Sequence, residues 1–175
     1  MLSHNLSQLI GQLNLDPEPI PSLEKLISNI YIPKEEVFTS YDECSIEYLG
    51  QKFYLTGSQF FKPREEHNYD WDFFTQYNPS VYKLLIEQGF EPIYERSLEY
   101  TDTDCLYVLR KQSTAEFRQI DIQLVQHCNH RIIIRNELKR LGKRFWSSID
   151  KDQASVLWEV AHNLTMLSSP IFSHS

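Results

Sequence analysis

Two aspartates set the chemistry open to this chain. In Tyr69-Asp70-Trp71-Asp72-Phe73, polar and aromatic residues alternate, which is the period of a half-buried strand. On such a strand Asp70 and Asp72 point the same way, roughly 6.6 Å apart along the chain, and Trp71 and Phe73 point into a core. Carboxylates that close raise each other's pKa unless a cation lies between them. The pair asks for a divalent metal, and the metal for a third carboxylate.

Asp121 supplies the candidate. Glu116 to Gln126 is the most regular alternating stretch in the chain. Ile120, Ile122 and Leu124 share one face of it, and Asp121 and Gln123 share the other. Phe117 is offset from that series, so a slip or bulge is expected near Arg118. An Asp between two Ile on such a strand has no reason to be there for packing. With this strand beside 69–77, Asp70, Asp72 and Asp121 converge on one surface. Three carboxylates there make a site for two Mg²⁺ ions, which prefer oxygen ligands and complete their shells with water and phosphate.

Upstream stands Gly57-Ser58, separated from Asp70 by eleven residues. Taken together, Gly57-Ser58, Asp70-Trp71-Asp72-Phe73 and Ile120-Asp121-Ile122 resemble the signature of the polymerase-β-type nucleotidyltransferase superfamily. The resemblance covers about 57–126. Thr56 stands where that signature usually has a hydrophobic residue. The resemblance implies a nucleotidyltransferase that moves a nucleoside monophosphate from an NTP such as ATP to a hydroxyl. Asp70 and Asp72 would hold two Mg²⁺ ions against the triphosphate, and Asp121 would share one ion and help deprotonate the acceptor. Gly57 would let the backbone approach a phosphate, Ser58 would donate to it, and Lys62 and Arg64 would add phosphate contacts. Charge neutralisation and in-line positioning are what such a reaction requires.

The elements that must position these residues are legible in outline. Leu6, Leu9, Ile10 and Leu13 mark a short amphipathic helix over 4–14, and the prolines at 17, 19 and 21 follow as a connector. Ser22 caps a helix with Leu23, Leu26, Ile27 and Ile30 as its apolar stripe. Pro33 opens a third helix. From Cys44 the chain is extended, with a hairpin at Gly50 as one option. Phe60 and Phe61 begin a helix or loop. Asn78-Pro79 and Gly89 bracket a further helix. Strands follow at 90–94 and 105–110, then 116–126, and helices at 130–145 and 151–167. The fold class is α+β, a nucleotidyltransferase-like mixed β-sheet core with flanking helices and a C-terminal helical pair. The expected organisation is an N-terminal helical lead (1–45), a catalytic core (46–127) and C-terminal helices (128–175), all in one compact unit.

A chain of 175 residues, 41% hydrophobic and 13% aromatic, has material for a packed core without staples. The formal charge of −7 argues against non-specific nucleic-acid binding by the whole protein. Three cysteines without metal-ligand spacing imply reduced thiols and a cytoplasmic setting. Neither a signal peptide nor an apolar run of about 18 residues is evident. Asp102-Thr-Asp104 and Asp150-Lys-Asp152 read as turns, and His127-Cys-Asn-His130 reads as a strand end and helix cap. Arg131, Arg135, Lys139 and Lys143 recur every fourth residue and share a helical face. That face is either a solvated surface or a basic wall contacting triphosphate, RNA or a protein partner. The leading alternative to an enzyme is a non-catalytic nucleotide-binding or protein-interaction module of the same fold. A metal-dependent nuclease would have no use for Gly57-Ser58.

Overall fold

A computed structural model describes residues 20–30, 44–62, 70–95, 104–112 and 119–168. The helices expected at 4–14 and from Pro33, the segment carrying Arg64 and the offset near Arg118 lie outside these. Strands β1 (Ser45–Tyr48), β2 (Gln51–Thr56), β3 (Trp71–Gln76), β4 (Glu91–Glu95), β5 (Cys105–Gln112) and β6 (Gln119–Val125) form one sheet in the order β1-β2-β3-β6-β5-β4. The β3/β6 pair is parallel and the others are antiparallel. The helices are α1 (Leu23–Ile27), α2 (Ser58–Phe61), α3 (Pro79–Glu87), α4 (Cys128–Lys139), α5 (Lys143–Ser148) and α6 (Lys151–Ser168). The expectation of an α+β protein with a mixed sheet holds.

Local signals explain several of these elements. Leu49 and Gly50, both at positive φ, make the tight turn between β1 and β2, as a two-residue hairpin loop demands. The Ser22 hydroxyl accepts from the Lys25 N–H at 3.3 Å at the start of α1. Asn78 caps α3 by accepting from the Val81 N–H at 2.8 Å, with Pro79 in the first turn. Gly89, at φ +95°, lies just past its end.

One row of the sheet sets the register. Leu55, Phe73, Ile122 and Leu109 lie abreast on β2, β3, β6 and β5, and all four are fully buried. Each such side chain contributes about 1.5–3 kcal/mol of burial. Val81 and Leu85 of α3 and Leu23 and Ile27 of α1 belong to the same core. The opposite face carries Tyr54, Phe74 and Val125, packed with Cys128 and Ile132 of α4.

The C-terminal region departs from the expected pair of helices. The run at 130–145 is broken after Arg140, and Gly142, at φ +93°, starts a separate short helix, α5. The basic face also points the other way from a solvent wall. Arg131, Arg135 and Lys139 are buried. Arg131 Nε donates to Asp104 Oδ2 at 3.2 Å and its Nη1 to Gln123 Oε1 at 2.7 Å. Arg135 donates to the Leu55 carbonyl at 2.8 Å and lies over the Phe60 ring, 4.5 Å from its centroid. Lys139 donates to the Phe60 carbonyl. Lys143 is exposed, on α5. Four-residue spacing says that the side chains share a face; the acceptors on the sheet decide where it points. Asp104, expected in a turn, is likewise a buried anion that Arg131, His127 and His162 approach together. Arg131→Ala is expected to cost about 3–5 kcal/mol in urea unfolding, because it removes one partner of a buried pair. Arg140→Ala, which loses only an exposed pair with Glu137, should stay within about 0.5 kcal/mol.

Candidate functional site

The charged residues form a second row, one residue along the strands from the core row and on the other face. Thr56 lies opposite Asp72, Asp72 opposite Asp121, and Asp121 opposite Arg110. Because side chains alternate between faces, burying Leu55, Phe73, Ile122 and Leu109 on one side presents these four together on the other. Asp70 immediately precedes β3, and its charge also reaches Asp72. The three carboxylates singled out from the sequence therefore do converge.

Gly57 closes the row beside Asp72. It has φ +71°, a region that glycine enters without steric cost. A Cβ there would run into the Asp72 carboxylate, only 3.0 Å from its Cγ. The glycine thus has a reason independent of any phosphate: the carboxylate occupies the space a side chain would need. Ser58 begins α2, and its carbonyl accepts from the Lys62 N–H at 3.0 Å. Lys62 Nζ donates to the Ile149 carbonyl at 3.4 Å, tying α2 to the corner between α5 and α6. At that corner Asp150 and Gln153 each accept from the other's backbone N–H, at 2.8 and 3.0 Å, a reciprocal cap. Lys151 follows Asp150 and acts electrostatically on Asp72.

Two cations were not evident in the sequence. Arg110 Nε and Nη2 bind Asp121 Oδ1 and Oδ2 at 2.8 and 2.9 Å, a fork-to-fork pair. That hydrogen bonding holds the guanidinium pKa above its ordinary value despite partial burial. The only trace in the sequence is a lone Arg closing the apolar run Cys105-Leu-Tyr-Val-Leu. Lys151 was hidden in a segment that reads simply as a turn.

Asp72 bears the consequence of this crowding. Burial first, then the charges of Asp121 and Asp70, push its pKa from 3.8 to about 7, while Lys151 and Arg110 oppose the rise. A divalent cation would relieve that repulsion. By this criterion Asp70 and Asp72 fit a Mg²⁺ ion, with Gly57 leaving room for the carboxylate. Asp121 has both oxygens engaged by Arg110. Among the described residues, no three His, Cys, Asp or Glu side chains are arranged to close around one metal, and no helix is long and apolar enough to cross a membrane. Comparison with protein-family models, curated proteins and solved structures gives no significant match.

Asp72 makes stability depend on pH in a defined direction. The folded state retains a proton there that the unfolded chain gives up near pH 4, so this contribution is fully present below pH 4 and is lost as pH rises to about 7. Asp72→Asn, which cannot ionise, should therefore raise the melting temperature at pH 8 and change it little at pH 3.5, as thermal scans at the two pH values would show. Gly57→Ala, which combines positive φ with a collision against Asp72, should cost about 1–3 kcal/mol in urea unfolding.

Proposed function

We propose that this protein is a Mg²⁺-dependent nucleotidyltransferase acting on a nucleoside triphosphate and a hydroxyl acceptor. What supports the reading above all is the register of β3 and β6, in which Asp72 lies abreast of Asp121 with Asp70 and Gly57 beside it. In this reading the acceptor oxygen bonds to the α-phosphorus, the bond from that phosphorus to the bridging oxygen breaks, and pyrophosphate leaves. Asp70 and Asp72 would hold Mg²⁺, which supplies charge neutralisation at the α-phosphate and the leaving group. Asp121, oriented by Arg110, would accept the hydroxyl proton. In this reading Ser58, Lys62 and Lys151, the last of which acts electrostatically on Asp72, would contact the triphosphate, and Arg64 is a candidate from the sequence alone. The acceptor is a small molecule, a protein side chain or an RNA end. The burial of Arg131, Arg135 and Lys139 leaves Lys143 as the member of that series on the surface.

One observation favours the alternative, a nucleotide-binding module without turnover. Arg110 already neutralises Asp121, as would suit a site that binds without reacting. Incubation with each of the four labelled NTPs, Mg²⁺ and pools of small-molecule, protein and RNA acceptors separates the two. Transfer is expected, with pyrophosphate release falling about 10²–10³-fold in Asp70→Asn and Asp72→Asn. NTP binding without pyrophosphate release in any pool would leave the binding module as the better reading.

A further inference from the structure

The ion pair at Asp121 bears on how many metal ions the site takes. Resting on the nucleotidyl-transfer reading, we propose that the site holds a single divalent cation, between Asp70 and Asp72, and that the Arg110 guanidinium stands at Asp121 where a second ion would otherwise bind. Three features carry this. Arg110 faces both carboxylate oxygens at 2.8 and 2.9 Å, so a second metal would have to displace or share a bidentate partner. The two residues are also direct cross-strand partners within β5 and β6, so the backbone register itself holds the guanidinium there. An Arg on a flexible loop could swing away more cheaply. Finally, the guanidinium is a fixed positive charge with planar donors suited to a carboxylate, and it serves Asp70 and Asp72 electrostatically as well.

The arrangement assigns distinct roles to the carboxylates. Asp70 and Asp72 are metal ligands. Asp121 is a paired anion that flanks them and remains able to accept a further hydrogen bond, because each carboxylate oxygen has two lone pairs. Arg110 is a positioning residue whose removal changes metal stoichiometry before anything else.

Electron paramagnetic resonance with Mn²⁺ in place of Mg²⁺ tests this without turnover. The 175-residue chain is mixed with Mn²⁺ and inorganic triphosphate, and the protein-bound signal is recorded. Two ions sharing one site sit about 3.5–4 Å apart and couple magnetically. The expected result is an uncoupled signal from one bound ion. In Arg110→Gln, a coupled pair is expected to appear. A coupled pair in the wild type would overturn the single-ion proposal and leave the transfer reading standing. An Arg110→Gln protein that still binds one uncoupled ion would show that the guanidinium is not what excludes the second, and would overturn it too. No protein-bound Mn²⁺ in the wild type would overturn both readings. The wild-type spectrum decides the matter by itself should Arg110→Gln fail to fold.

Discussion

Two like charges placed abreast on adjacent parallel strands are the constraint to which the surrounding structure answers. Asp72 and Asp121 are direct partners across β3 and β6, and neither can move without shifting a fully buried neighbour in the chain. Phe73 follows Asp72, and Ile120 and Ile122 flank Asp121, all completely enclosed. A slip of one residue would turn the core row out and the carboxylates in, so the energy that buries the apolar row also enforces the repulsion. The surroundings meet that repulsion with Arg110 on β5 and Lys151 at the start of α6. Asp72 meets it by holding its proton to about pH 7.

The helical layer on this face shows how the chain places positive charge. Arg131, Arg135 and Lys139 are too buried to act as an electrostatic surface. They satisfy acceptors on the sheet and on α2: the Asp104 carboxylate, the Gln123 amide, and the carbonyls of Leu55 and Phe60. Burying such charges is costly unless they are paired and hydrogen-bonded. These contacts hold α4 against β2, β6 and α2, and α2 is the element that Gly57 starts. Lys62 extends the same logic to the α5–α6 corner. These buried cations thus fix the helical layer on the face that carries the carboxylate row.

Much of the fold was readable because its signals are local. Asn78, Pro79 and Gly89 bracket α3 through capping and backbone geometry that the residues carry themselves. The three aspartates were readable because they take the polar positions of two alternating strands, at a telling distance from Gly57-Ser58. Arg110 was not readable, since its importance arises only when β5 and β6 pair in a particular register. The direction of the basic face of α4 was not readable for the same reason: spacing defines a face, and only the tertiary partners decide whether it is buried. Asp104 sits in a segment with turn composition, and its role depends on His127, Arg131 and His162, which arrive from well downstream. Gly57 was recognised for a phosphate contact; its geometry is already required by the Asp72 carboxylate.

Asp72, a crowded carboxylate, is central to the proposed cation site. Carboxyl-¹³C NMR titration of labelled aspartate, with and without Mg²⁺, measures this directly, with Asp72→Asn providing the assignment. A midpoint near 7 is expected for Asp72 without metal, and a clear fall in that midpoint when Mg²⁺ is added, because the ion favours the charged form. An Asp72 that titrates in the ordinary carboxylate range and does not respond to Mg²⁺ would contradict it.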